Sequence, residues 1–289
     1  MGGDGLTSAV QADGASGRIG RGPRRYDRSM GERATQAPPS DRSLLAFFAL
    51  ACGVTWACAL PAALAWSRGQ PASEGAMGLA GLSAWGPTIA AVIVASRSGR
   101  VRRVFGPWRV RPIWLIGALV VPLALQQLAR IVMLALGIDF GEWLYPPAAP
   151  ERWAALVMFS FGEEFGWRGW AQPHMVRRFG LVRGSLLVGV GWALWHAMYL
   201  ISPETGRVDL NNALLMLMLP GFSVVLGWLW ARGGGSVAIA IVFHATGHLD
   251  NLNGMTPGFG PRLVVVAVVT AAAIATAALL RGRPQSTGE

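Results

Sequence analysis

With 289 residues, 53% of them hydrophobic, and a mean hydropathy of +0.42, the chain is too apolar for an ordinary soluble domain and reads as a polytopic membrane protein. All 25 basic residues behind the formal charge of +10 are Arg. Most of them sit in a polar tail and in short loops between apolar runs, the pattern of membrane topology; no nucleic-acid recognition motif accompanies them, so no nucleic-acid partner is expected.

Residues 1–43 are rich in Gly, Ser and Arg and hold few large apolar side chains, which predicts a disordered cytoplasmic tail. The stretch is too long and polar to be a signal peptide, and it lacks the Ser or Thr of a myristoylation pattern. From Leu44 onward eight apolar runs follow, at about 44–66, 77–96, 113–136, 150–170, 185–201, 211–231, 235–249 and 263–280. A crossing helix needs roughly 20 residues, so these runs predict an all-α bundle of about eight transmembrane helices over 44–281. Pro61, Pro87, Pro122 and Pro220 fall inside runs, as membrane helices tolerate. The seventh run is short and carries two His. Residues 282–289 read as a second short cytoplasmic tail. The two cysteines, Cys52 and Cys58, face different ways on one helix, so neither a disulfide framework nor a Cys-rich metal site is indicated.

The loops orient the set. Residues 97–112 hold six Arg and no acid, and Arg177, Arg178, Arg183, Arg232, Arg281 and Arg283 continue the bias at every second loop. The alternate loops, 67–76, 137–149 and 202–210, hold one, none and one. The positive-inside rule then puts both termini in the cytoplasm. Trp66, Trp108, Trp114, Trp143, Trp153, Trp228 and Trp230 lie near the predicted boundaries, where interfacial belts form. No internal repeat is evident, which weighs against a transporter.

Against this apolar background the ionisable residues inside the runs are the functional candidates. The fourth run contains "FGEEFGWR", with Glu163, Glu164 and Arg168. Glu164 and Arg168 have the spacing of a helix ion pair, which neutralises one acid; Glu163 points about 100° away and is left over. His196 in "WALWH" and His244 and His248 in "HATGH" lie on the fifth and seventh runs. Counting about 1.5 Å per residue from the predicted boundaries puts Glu163, His196 and His244 at roughly the same depth, near mid-bilayer. Each has a bland alternative: a packed core His, or a structural His pair. His244 and His248, four apart, also suit zinc. Arg130 sits nearer the outer boundary, where it can snorkel, and His174 reads as a solvated loop residue.

The motifs resemble those of the CPBP intramembrane endopeptidases, the group of the type II CAAX prenyl proteases and the bacterial Abi proteins. Glu163-Glu164-x-x-x-Arg168 matches EExxxR. In "WALWH" an aromatic residue precedes His196 by four, with Trp192 in place of the usual Phe. In "HATGH" His244 is followed four residues on by His248, where the family usually carries Asn or a similar polar residue. The resemblance implies a catalytic core over about 150–250, in which Glu163 with His196 holds and deprotonates a water that attacks a peptide carbonyl. It implies that His244 and His248 bind the oxyanion, with Glu164, Arg168 and Trp192 as structural support. No cofactor is expected on that reading, and the partners are the lipid bilayer and a peptide or membrane-protein substrate. Two other readings stand beside it: a zinc-dependent metalloprotease using these His and Glu163, although no HExxH is present, and a non-catalytic scaffold or immunity protein. The Arg-, Ala- and Gly-rich composition without Lys resembles that of a high-GC bacterial genome, hence a bacterial cytoplasmic membrane.

Overall fold

The computed structural model describes residues 41–144, 150–200, 207–248 and 258–281, and every long element among them is helical. α1 (Asp41–Ser67) opens with Asp41 in its first turn, where the helix dipole favours an acid. α2 (Glu74–Leu82) is capped by Ser73, whose Oγ accepts from Ala76 N–H at 3.3 Å. It passes through a 3₁₀ turn at Ser83–Trp85 into α3 (Gly86–Ser96). α4 (Pro112–Ala135) begins on a proline, which lacks only a donor that the first turn cannot use. α5 (Pro150–Glu164) runs into a π-helical segment, Phe165–Ala171, and then α6 (Gln172–Phe179). Gly180, at φ 77°, stops α6 and starts α7 (Leu181–Trp195), a backbone turn that favours glycine. His196–Leu200 is a 3₁₀ extension; α8 (Leu210–Arg232), α9 (Val237–Gly247) and α10 (Phe259–Arg281) complete the set.

Among the described residues six helical stretches are long and apolar enough to cross a membrane, and the protein is a multi-pass helical membrane protein. The eight predicted runs all coincide with helices. Two do not stand among those six: the fourth, because its helix carries buried charges, and the seventh, because α9 has only 11 residues. The expected disorder of 1–43 falls almost wholly outside the described residues, as does 282–289.

Two apolar clusters frame the centre. One joins α1, α3, the π segment, α7 and α9 through Phe47, Trp167, Trp170, Trp192, Trp195 and Val237; the other joins α4, α8, α9 and α10 through Leu226, Leu229, Ile239 and Phe243. Glycines set how closely α5 approaches its neighbours. A Cβ on Gly162 would lie 2.9 Å from the Ala84 carbonyl oxygen, and Thr88 Oγ1 donates to the Gly162 carbonyl at 2.6 Å. Gly166 and Gly169 continue this bare face against Pro87 and the Val104 carbonyl. The backbones therefore touch directly, the close packing that small residues permit between membrane helices.

Three sequence expectations need correction. Arg130 does not snorkel: it is fully buried, and its Nε donates to the Glu142 carbonyl at 3.0 Å, holding the loop after α4. Trp230 is 1% exposed and belongs to the core rather than to an interfacial belt, whereas Trp108 and Trp143 are exposed as expected. His174 is a helical, half-buried residue whose Nδ1 meets the Trp170 carbonyl and whose ring packs 4.4 Å from that of Trp170. Burial, reinforced by Arg177 and Arg100, lowers its pKa to about 4, so it is neutral at pH 7.

Candidate active site

The predicted polar residues converge where α5 gives way to the π segment and where α7 and α9 end. Glu163 and Glu164 are the last residues of α5 proper, and Arg168 lies in the π segment. Trp192 is in the last turn of α7, His196 follows it, His244 is in the last turn of α9, and His248 is one residue past it. Gly162, Gly166 and Gly169 lower the local α-helical propensity, which favours the wider turn. Segments 80 residues apart thus meet at one place.

Glu164 is its anchor. It is fully buried, and one oxygen, Oε1, takes Nη1–H of Arg168 at 2.9 Å and faces His244 Nδ1 at 2.8 Å. A carboxylate only accepts, so His244 presents Nδ1–H to it. That fixes the plane of the imidazole and turns its Nε2 toward His248 Nε2, 3.1 Å away. Arg168 is further held by Ser223 on α8, which accepts from Nη2 at 3.3 Å and donates to the Ser185 carbonyl at 2.8 Å. Gln172 donates to Ser185 Oγ at 2.6 Å. The guanidinium also lies over the Trp192 ring, 4.5 Å from its centroid. This network offsets much of the cost of a charge in an apolar interior, with Arg168 Nε and Glu164 Oε2 left without a hydrogen-bond partner among the described residues.

Glu163 is separate, as its helical position implies. It is 6% exposed, and Oε2 accepts Nε1–H of Trp192 at 2.7 Å. Trp192 is therefore more than packing: its N–H orients Glu163, its face carries Arg168, and its edge meets the His244 ring with centroids 5.2 Å apart. A Phe here would supply the ring and not the donor.

His196 joins through the same residue. Its Nδ1 lies 2.9 Å from the Trp192 carbonyl and its ring packs 4.6 Å from Trp195, which is half of the bland alternative, a His satisfied by a carbonyl. Yet it also lies within electrostatic reach of His244 and His248, so it borders the cluster. His248 is exposed, whereas Glu163 and His244 are buried; the cluster opens to the surface of the bundle on the His248 side. Sequence reasoning missed Ser223, Ser185 and Gln172. Their only signal was a small or amide side chain within or beside an apolar run.

The metal alternative rests on His244 and His248. Their facing nitrogens form a pair, but His244 Nδ1 is committed to Glu164, and among the described residues no group of three or more His, Cys, Asp or Glu is arranged to hold an ion.

The fold and site thus define a multi-pass membrane protein with a buried carboxylate–imidazole centre. Residues 146–249, which contain that centre, match the family described as type II CAAX prenyl endopeptidase Rce1-like. A CAAX prenyl protease 2 of Methanococcus maripaludis is 28% identical over 93 residues, covering 30% of this chain and 33% of the relative. The chain thus spans about a third of the length of that curated relative. Both matches support the CPBP family for this segment.

Proposed function

We propose that the chain is an intramembrane endopeptidase that hydrolyses a peptide bond of a membrane-associated protein or peptide by means of a water activated by Glu163. The observation that carries the reading is the division of labour between adjacent acids. Glu164 is fully buried and spends Oε1 on both Arg168 and His244, leaving Oε2 enclosed and without a hydrogen-bond partner among the described residues, while Glu163 is 6% exposed and is held on Oε2 by a single indole N–H, so the oxygen open to a water belongs to Glu163. A carboxylate stripped of water is a stronger base than one in solution, which suits proton abstraction.

On this reading a water on Glu163 transfers a proton to the carboxylate as its oxygen attacks the carbonyl carbon, with His196 at the border of the cluster to help hold it. The carbonyl oxygen becomes an oxyanion and takes N–H donors from His248 and from His244, which as an imidazolium carries an N–H on Nε2 while its Nδ1–H stays on Glu164. In the resting arrangement the Nε2 atoms of these two rings face each other, so one donor is spent within the pair. The oxyanion takes the place of that contact, and exposed His248 is the ring with room to move. Glu163 then returns its proton to the leaving amine as the tetrahedral intermediate collapses. Arg168 and Glu164 take no part in the proton transfers; they hold His244 in place. The enzyme's place is the bacterial cytoplasmic membrane, with both termini and the loop 97–112 on the cytoplasmic side.

The test is comparative proteomics of membranes carrying wild-type or Glu163→Gln protein, the latter checked for unchanged amount and melting. A fragment present only with wild type is the expected outcome. A peptide cleaved at the same rate by both proteins would remove Glu163 from the base role.

A further inference from the structure

Next to His248, outside the catalytic cluster, a cleft opens between α4, α8, α10 and the end of α9. Gln126 of α4 lines it and is 8% exposed. Its Nε2 donates to the Gly247 carbonyl at 3.2 Å, one residue before His248. A carbonyl can only accept, which fixes the orientation of the amide. Oε1 is then left buried with no hydrogen-bond partner among the described residues. Phe222, Met218, Val265 and Val269 supply apolar wall, and Phe222 also borders the site, its ring 6.4 Å from Trp192. The side chains lining the cleft other than Gln126 are apolar.

The cleft has a cavity volume of about 30 Å³, two to three times the ~10–15 Å³ that one water needs. That is room for a small or branched apolar side chain and too little for an indole or a long isoprenoid. A water is a poor occupant, because it needs two or more polar partners and Gln126 Oε1 offers one. A peptide residue fits both features, with an apolar side chain for the wall and a backbone N–H for the orphan acceptor.

We propose that this cleft is the subsite that receives an apolar side chain of the substrate next to the scissile bond, with Gln126 Oε1 accepting that residue's backbone N–H. The proposal rests on the endopeptidase reading. Because Gln126 also holds the Gly247 carbonyl, filling the subsite bears on the backbone that carries His248.

The experiment uses the full chain in lipid nanodiscs, as Glu163→Gln, with short synthetic peptides carrying photo-leucine at successive positions. The expected cross-links fall on residues 218–222 or 265–269 for one peptide position. Val265→Phe, or Met218→Phe should the first variant not fold, lowers that labelling about tenfold or more, in line with the cost of mis-sizing an apolar pocket; Gln126→Leu lowers it as well. Wild-type protein is tested in parallel for cleavage of the same peptides. Cleavage without labelling in the cleft overturns the subsite and leaves the peptidase reading standing. Labelling in the cleft without cleavage keeps a peptide side-chain site and removes the peptidase reading. Labelling elsewhere or nowhere, or capture of the same residues by a diazirine phospholipid that peptide does not displace, overturns the proposal.

Discussion

Glu164→Gln tests whether the site is held by one shared oxygen. The wild-type carboxylate Oε1 meets Arg168 at 2.9 Å and His244 at 2.8 Å, with both acid and guanidinium at most 1% exposed. The amide keeps the shape and one accepting oxygen but removes the charge, so Arg168 is left without its counter-ion, with neutral acceptors and the Trp192 face. Stranding one member of a buried pair costs ~3–5 kcal/mol. At ~2–4 °C per kcal/mol for a domain of this size, the unfolding midpoint should fall by about 10 °C. Cys52 and Cys58 are both free and half-buried on α1, so a thiol-reactive fluorophore reports the opening of the bundle without added labels. Activity should fall too, because a neutral amide oxygen holds His244 Nδ1–H less firmly than the carboxylate does. The double variant Glu164→Leu/Arg168→Met separates the two effects. With no charge left to strand, its midpoint should return to within a few degrees of wild type, about the outcome seen when buried pairs are replaced by apolar groups, while it stays inactive. A single variant that melts with the wild type, or a double variant as unstable as the single one, would refute the argument.

His248→Asn retains a side-chain N–H donor and should keep much of the activity, whereas His248→Ala should lose about 10²–10³-fold in rate, the usual cost of one oxyanion donor; stoichiometric zinc in the purified protein, lost with activity in His248→Asn, would instead favour the metal reading. Gly166→Ala places a methyl against the Pro87 backbone and should cost about 1–3 kcal/mol by overpacking, read as a lower midpoint in the same thiol assay; unchanged melting would mean that the π segment and α3 separate easily. Cys introduced at Ser98, in a Cys52→Ala/Cys58→Ala background, should react with an impermeant maleimide only after permeabilisation; labelling of intact cells would reverse the topology.

The helices were legible because length and apolarity are local properties. The run 113–136 became Pro112–Ala135 and 211–231 became Leu210–Arg232, since lipid leaves a backbone little choice but to bond within itself. Breaks within helices were less legible. The 3₁₀ turn at Ser83–Trp85 receives Thr55 Oγ1 on the Ser83 carbonyl, a contact 28 residues away in sequence, and no periodicity encodes it. The site shows the same division. The Glu164–Arg168 pair follows from spacing four on a helix. That His244 takes Glu164, and that Trp192 takes Glu163, depends on how three helices rotate about their axes.

That rotation has a cause in the sequence after all. Gly162, Gly166 and Gly169 share a face that lies against the 3₁₀ turn at Ser83–Trp85, α3 and Val104, where a Cβ would meet backbone atoms. Fixing that face directs the next residues, Glu163 and Glu164, toward α7 and α9. In "FGEEFGWRGW" the glycines therefore aim the carboxylates. An acid pair without the glycine face would have the right charges at the right depth but no reason to point one acid at an indole and the other at an imidazole. The two roles come from one packing constraint, and the catalytic reading of Glu163 depends on the glycines as much as on the acid itself.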